Sequence, residues 1–232
     1  FLEYILLKRY EKNAVALFNH TALVSKMDSK YFFVEKKIKK NISIISNGTD
    51  LKKKLYKFKK KNNDIVFIGN INYLPNQIAC FNFIKKIMPR LEKQNIHITF
   101  KIIGNTSKIL KFYLTRFKNV VVCNKVKMPE KLCKNAICGI SNLNVVSGVQ
   151  NKIMEYMRIG LPAIVSEKCF NSLNFKKNRD LLVYKNDDEF IRHIIKLKTK
   201  KLFAKKISDN CYKKIRKEYS WKKSLKKYDS LI

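Results

Sequence analysis

The residues best suited to chemistry lie in one short run, SGVQNKIMEYM (147–157). Gly148 stands where a helix begins, and a glycine there lets a ligand approach the backbone closely. The first N–H groups of a helix have no intrahelical partner and carry the positive end of its dipole, so that end favours a phosphate. Lys152 lies one turn in and can add a cation. Glu155 follows at i+3 on the same face, where a carboxylate can accept hydrogen bonds from sugar hydroxyls. A phosphate pole beside a hydroxyl acceptor suits a nucleotide-sugar. The same Lys–Glu spacing is also that of a solvated pair on a helix surface, and Gly148 reads equally well as a turn glycine.

Two other loops stand where a ligand could bind, GNINYLPN (69–76) and NKVKMPE (124–130). Asn70, Asn72 and Asn76 read as loop and capping residues, with Asn76 an N-cap. Other chemistries are poorly supplied. The cysteines at 80, 123, 133, 138, 169 and 211 form no Cys-x-x-Cys pair, and His20, His97 and His193 are far apart. Zinc-ligand spacing is therefore absent, and no metal or cofactor is expected. Several cysteines lie in apolar runs and read as reduced core thiols of a cytoplasmic protein.

The elements that must position these residues follow from hydrophobic periodicity. Residues 2–12 read as a helix, 21–25 as a short apolar element, and ISIIS (42–46) as a strand ended by Asn47-Gly48. The Lys-rich stretch 52–64 looks like an exposed linker or a solvated helix. From Asp64 the pattern is regular. DIVFIG (64–69), IHITFKIIG (96–104), NVVVC (119–123), AICGI (136–140), PAIVS (162–166) and DLLVY (180–184) read as strands. Helices are expected over 76–93, about 106–117, a first turn at 129–135, 149–159 and 187–198. Such alternation is the mark of a Rossmann-like, doubly wound α/β fold, a parallel sheet covered on both faces. Ligands of such sheets bind beyond the C-terminal ends of the strands, where all three loops fall. After Ser220, an expected N-cap, Trp221, Leu225, Tyr228 and Ile232 form an apolar stripe that needs something to pack on.

The 232 residues carry 51 Lys+Arg against 17 Asp+Glu, a formal charge of +34. That charge invites a nucleic-acid partner, but only 7 of the 51 are Arg, the residue preferred for forked phosphate contacts. The lysines are spread through every segment instead of forming one stripe. Ile (27) and Asn (23) are frequent while Ala (7), Gly (6) and Pro (4) are rare, as AT-rich codon usage produces. Composition thus accounts for most of the basicity, and nucleic acid is an unlikely partner; a basic surface would still suit docking at an anionic membrane face. Apolar residues make up 46%, which argues against disorder. No stretch approaches the roughly 18 apolar residues of a membrane span. The chain opens at Phe1 without a signal-peptide pattern, which is expected of a piece of a longer protein.

The run GVQNKIMEYMRIGLPAIVS (148–166) resembles the retaining glycosyltransferases of the two-domain GT-B fold, in particular a bacterial polysaccharide-building subgroup of the glycosyltransferase 4 type. Gly148, Gln150, Asn151, Lys152, Glu155, Met157, Gly160 and Pro162 match the subgroup's pattern. Gly69, Asn70, Tyr73, Pro75 and Asn76 match its first-loop pattern, and NGTD (47–50), NRDLLVYKNDDEF (178–190) and YSW (219–221) fall in the expected order.

The resemblance implies a donor-binding domain over 64–212 and a Lys-rich linker at 51–63. Residues 1–50 would be the end of the acceptor domain with the interdomain strand, and 213–232 a helix crossing back to that domain. It implies that Glu155 contacts the nucleotide ribose and that the helix start at Gly148, Gln150 and Asn151 holds the diphosphate. Backbone near Val126 would meet the base. Gly69 and Asn70 border the same site, and Lys152 takes much of the diphosphate charge. Many relatives place a second glutamate where this chain has Ser147, and an Arg and a Lys in the first loop where it has Asn70 and Asn76.

The implied activity is sugar transfer from a nucleotide-sugar to a glycan or lipid-linked acceptor, at the inner face of the cytoplasmic membrane, with no turnover by this piece alone. A basic nucleic-acid- or anion-binding module and an inactive GT-B relative are the alternatives.

Overall fold

The computed structural model describes residues 2–25, 28, 42–146, 148–171, 174–229 and 231. Ser147, Ile232 and most of 26–41 lie outside the described residues, and with them the expectations placed there.

The apolar runs form strands because their Val, Ile and Phe side chains fill both faces of a buried sheet. β3 (Asp64–Ile68), β4 (Thr99–Ile103), β5 (Val120–Cys123), β6 (Ala136–Ser141), β7 (Ala163–Ser166) and β8 (Leu182–Tyr184) make one six-stranded sheet. Its order is β5-β4-β3-β6-β7-β8, and every pairing is parallel. The chain therefore builds outward from β3 in one direction, then returns and builds outward from β6 in the other. This is the doubly wound order, and its reversal point lies between β3 and β6. Ahead of it come α1 (Leu2–Leu17) and a small parallel pair, β1 (Thr21–Leu23) and β2 (Ile42–Ile44).

Right-handed crossovers place the helices on both faces. The helix after β3 runs as α2 (Leu74–Asn82), widens into a π segment (Phe83–Ile87) and resumes as α3 (Met88–Glu92). Pro89 explains the widening: it has no N–H to give the preceding turn, and its ring crowds that turn's carbonyl. α4 (Lys108–Thr115) starts at Ser107, whose hydroxyl accepts from the Leu110 N–H. The expected first turn at Pro129 is a 3-10 helix, Pro129–Cys133. α5 (Asn151–Arg158) and α6 (Glu167–Phe170) flank β7, and α7 (Asp187–Thr199) is capped by Asn186. α8 (Lys201–Glu218) packs against α5 and α7. The core is continuous across the sheet; Phe83 meets Phe100 at 4.5 Å and Phe190 at 5.7 Å between ring centroids.

Some details differ from expectation. Residues 51–63 form no helix; most of them are exposed, as in a linker, yet the stretch is held to the domain. They run along the domain with Tyr56 buried, Lys54 paired with Asp209, and the Leu55 and Tyr56 N–H groups both donating to the Ile159 carbonyl. The alternating Tyr56 and Phe58, hidden among lysines, hold this strap down. α8 is a further element that the periodicity does not predict. Asn76 is not the N-cap of α2; Tyr73 holds that position, and Asn76 lies inside the first turn.

The last helix, α9 (Trp221–Asp229), returns to the start of the chain. The Ser220 hydroxyl accepts from the Lys223 N–H, as an N-cap does, and Ser220 pairs in parallel with Thr49. Thr49 N–H donates to the Tyr219 carbonyl at 2.7 Å. A Cβ on Gly48 would lie 2.6 Å from the Trp221 Cα, so glycine is what lets the two segments touch. Trp221, Leu225 and Tyr228 remain exposed.

Candidate functional site

The site begins where the sheet parts. The β3–β6 ladder ends at Val66 opposite Gly139. Beyond it the Tyr156 hydroxyl bridges the two strands, accepting from the Ile68 N–H (2.8 Å) and donating to the Ile140 carbonyl (3.2 Å). Gly139 makes room for that ring; a Cβ there would lie 2.3 Å from it. Tyr156 thus fixes α5 over the reversal point, and α5 carries most of the candidate residues.

The floor is formed by the ends of β3 and β4. Gly69 N–H donates to the Ile103 carbonyl (3.0 Å) and Ile71 N–H to the Asn105 carbonyl (2.8 Å). Gly104 has φ +152°, and a Cβ there would lie 1.7 Å from the Gly69 carbonyl oxygen. Only glycine permits this close approach. The loop is then pinned from inside. Asn76 Nδ2 donates to the Asn70 carbonyl (2.8 Å), and Lys152 Nζ donates to Asn76 Oδ1 (2.7 Å). Lys152 is buried, with its ammonium 4.1 Å from the Phe67 ring centroid. Burial lowers its pKa from 10.5 to about 8.

Above this floor lies a cavity of about 340 Å³ bordered by Gly69, Asn70, Gly104, Lys125, Val126 and Glu155. Gly69, Asn70, Val126 and Glu155, all expected site residues, thus come from two loops and α5 to one opening. Glu155 Oε2 is buried and, among the described residues, has no hydrogen-bond partner. Burial pushes the Glu155 carboxyl above its usual range; Arg158 and Lys152 oppose the shift, and Glu130 adds to it. Glu155 also borders a second cavity, of about 260 Å³, with Asn151, Arg158, Trp221 and residues 47–50. Asn47 Nδ2 donates to Asn151 Oδ1 there (3.1 Å). The carboxylate therefore stands between an opening over the sheet and a crevice closed by the returning tail.

The remaining expected residues lie at the α5 start. Gly148 adopts φ +62°, and its N–H donates to Asp28 Oδ1 at 3.2 Å. Gln150 holds the N-cap position with no side-chain capping bond. Neither borders the two cavities, and Lys152 turns to the Asn76 side of the loop. Sequence reasoning missed Tyr156, Arg158 and Glu130. Arg158 Nη2 pairs with buried Glu130 (3.4 Å), and Lys52 approaches the same carboxylate (3.7 Å). Arg158 at i+3 from Glu155 was a readable signal; Glu130 ends the second candidate loop, but its pairing with Arg158 joins two separate elements.

Among the described residues no three His, Cys, Asp or Glu side chains gather as a metal site, and the six cysteines are free. No helix among them is long and apolar enough to cross a membrane.

A doubly wound sheet with a crevice at its reversal point, floored by glycines and carrying a carboxylate unpartnered among the described residues, defines a Rossmann-like class of α/β domain. Residues 62–200 match the family described as "Glycosyl transferases group 1", and the chain belongs to that family. No curated protein sequence matches it. Solved structures share its fold. TarM superposes with a TM-score of 0.79 at 18% identity, covering 97% of this chain and 45% of TarM. A mutant of S. aureus TarM was solved with fondaparinux, alpha-GlcNAc-glycerol and UDP. Anabaena HepE, solved with UDP and glucose, gives 0.75 at 13% identity, covering 97% of this chain and 66% of HepE. The pneumococcal O-GlcNAc transferase GtfA, with UDP and GlcNAc, gives 0.69 at 12% identity, covering 95% and 46%. The chain thus spans about half to two thirds of these proteins.

Proposed function

We propose that the chain is the donor-binding portion of a glycosyltransferase. It would bind a nucleoside diphosphate sugar and present the sugar to a glycan or lipid-linked acceptor held by a companion domain. The observation that carries this reading is Glu155. A buried carboxylate oxygen without a partner costs free energy unless a donor arrives. Vicinal hydroxyls of a ribose in the adjoining cavity supply such donors. Gly69, Asn70 and Gly104 leave their backbone open to a flat group beside them, and the chain near Val126 forms the outer edge for a base.

From the ribose the diphosphate would run toward Gly148, Gln150 and Asn151, where the α5 N–H groups and dipole meet negative charge. Asp28, now bonded to the Gly148 N–H, would have to yield. Lys152 acts from beneath the loop, its charge little screened because it is buried. Stabilising the departing nucleoside diphosphate is the main contribution these residues can make. In this reading the transfer is retaining, and the remaining groups come from the acceptor side. The nucleotide-sugar is then a substrate, and neither cofactor nor metal is invoked. Residues 1–50 then end the acceptor domain, 64–212 bind the donor, and 213–232 cross back. Sugar transfer for surface polysaccharide, at the cytoplasmic face of a membrane, is the role that fits.

Thermal denaturation with uridine, guanosine, adenosine and thymidine diphosphates tests this. One of them should raise the melting temperature in a saturable way, since a ligand that binds only the folded chain stabilises it. A chain indifferent to all four would not be a donor-binding domain.

A further inference from the structure

α4 packs Leu110 and Leu114 on the core but also carries large apolar side chains on its outer face. Ile109 is 72% exposed, Phe112 60% and Tyr113 55%, while Leu114 is its one fully buried residue. Surface helices normally turn apolar residues inward. Lys108, Arg116 and Lys118 surround these side chains, with the Arg116 guanidinium 5.1 Å from the Phe112 ring centroid.

The apolar surface does not stop at α4. Ser107 N–H donates to Asn72 Oδ1 (2.8 Å), joining it to the start of α2, where Tyr73, Leu74 and Ile78 are exposed. Lys111 Nζ donates to Asn124 Oδ1 (3.4 Å), joining it to the loop where Val126 and Met128 are exposed between Lys125 and Lys127. Lys125 and Val126 border the 340 Å³ cavity, so surface and cavity share an edge. Residues 65–129 hold 11 Lys and Arg and a single acid, Glu92, which pairs with Lys118 at 3.1 Å.

We propose that this face, from Tyr73 through α4 to Met128, docks on a lipid bilayer bearing anionic headgroups. Aromatic and branched side chains would enter the headgroup boundary while the lysines reach outward to phosphates. The cations around it are five lysines and one arginine, whereas protein interfaces favour Arg and exclude Lys. Other exposed apolar side chains fit less well. α1 carries Glu3 and Glu11 among them, and those of α9 lie beside the 47–50 segment near the chain end. Docking would hold the cavity edge against the membrane. The surface stands independently of the donor-site reading.

The test is partition onto vesicles of phosphatidylcholine with and without phosphatidylglycerol, at roughly physiological ionic strength, where the Debye length is about 8 Å. Three proteins are compared: the chain as it is, the double variant Ile109→Ser with Phe112→Ser, and the comparator Leu202→Ser, whose residue is 83% exposed on α8. All substitutions are charge-neutral, so general attraction of the basic chain to anionic lipid is the same in each. The unaltered chain and the comparator should bind vesicles containing phosphatidylglycerol, and the double variant should bind at least about tenfold more weakly. Its melting temperature and its nucleoside diphosphate shift should be unchanged. Equal binding by the double variant, or equal binding to both vesicle types, would overturn the proposal. Loss of self-association in the double variant with vesicle binding intact would also overturn it, making this a contact between copies. A chain that partitions as expected yet binds no nucleotide would leave this surface standing and remove the donor site.

Discussion

At the scale of single residues, two buried ionisable groups set opposite tests. Glu155 is held where its charge is poorly solvated, so its carboxylate opposes folding at neutral pH and serves a ligand instead. Glu155→Gln should raise the melting temperature by a few degrees and weaken nucleoside diphosphate binding by about tenfold, because the charged acceptor is lost. A variant that is less stable and binds as before would contradict the role given to it. For Lys152 the sign follows from its lowered pKa. Below about 8 the ammonium is charged in the folded and unfolded chain alike; between about 8 and 10.5 the folded chain has released a proton that the unfolded chain keeps. Stability contributed by this group therefore rises with pH through that window. Diphosphate affinity should fall over the same window, as the cation is lost. Calorimetry at pH 7 and pH 9 would check this, with Lys152→Met showing low affinity and no such pH dependence. The spacing of Gly148, Lys152 and Glu155 along a helix was readable in the sequence. That Lys152 reaches Asn76 beneath a loop was not, because that contact joins residues 76 positions apart.

At the scale of elements, the strands were legible because each is a short apolar run ending near a polar loop. α8 was hidden because its buried residues are Ala204, Ile207, Ser208, Cys211 and Ile215, small or half-polar side chains diluted by lysines. The anchoring of 51–63 was hidden because only Tyr56 and Asn62 are buried among its lysines. The Tyr156 bridge escaped notice since Tyr156 looks like any core aromatic; its role exists only because two strands separate beside it. Two of the three positive-φ glycines, Gly104 and Gly148, should respond differently to alanine. At Gly104 a Cβ collides with the Gly69 carbonyl, while at Gly148 the nearest atom is 4.0 Å away. Gly104→Ala should cost about 3 kcal/mol or more, with nucleotide binding lost as the floor shifts. Gly148→Ala should cost only about 1 kcal/mol, the penalty of the left-handed backbone. Chemical denaturation of both would show it, and equal costs would contradict the pinched floor.

At the scale of the whole molecule, the charge of +34 proved a poor guide to any single partner. What distinguishes one face is that apolar side chains are exposed among its cations, which no composition reveals. The returning tail against residues 47–50 brings together two motifs that are far apart in sequence, and it closes the crevice beside Glu155. If the acceptor is held by a companion domain, as proposed, the chain alone should bind donor and transfer no sugar. Detectable transfer by the isolated chain would contradict that division of labour. The central claim is that Glu155 reads the ribose of a bound nucleotide. The direct measurement is a calorimetric cycle. It pairs the nucleoside diphosphate that shifts the melting temperature, and its form lacking ribose hydroxyls, with the unaltered chain and with Glu155→Ala. The account predicts that removing the hydroxyls weakens binding about tenfold in the unaltered chain and has almost no further effect once Glu155 is gone. Equal losses in both proteins would show that Glu155 does not contact the ribose, and the donor site would have to be sought elsewhere.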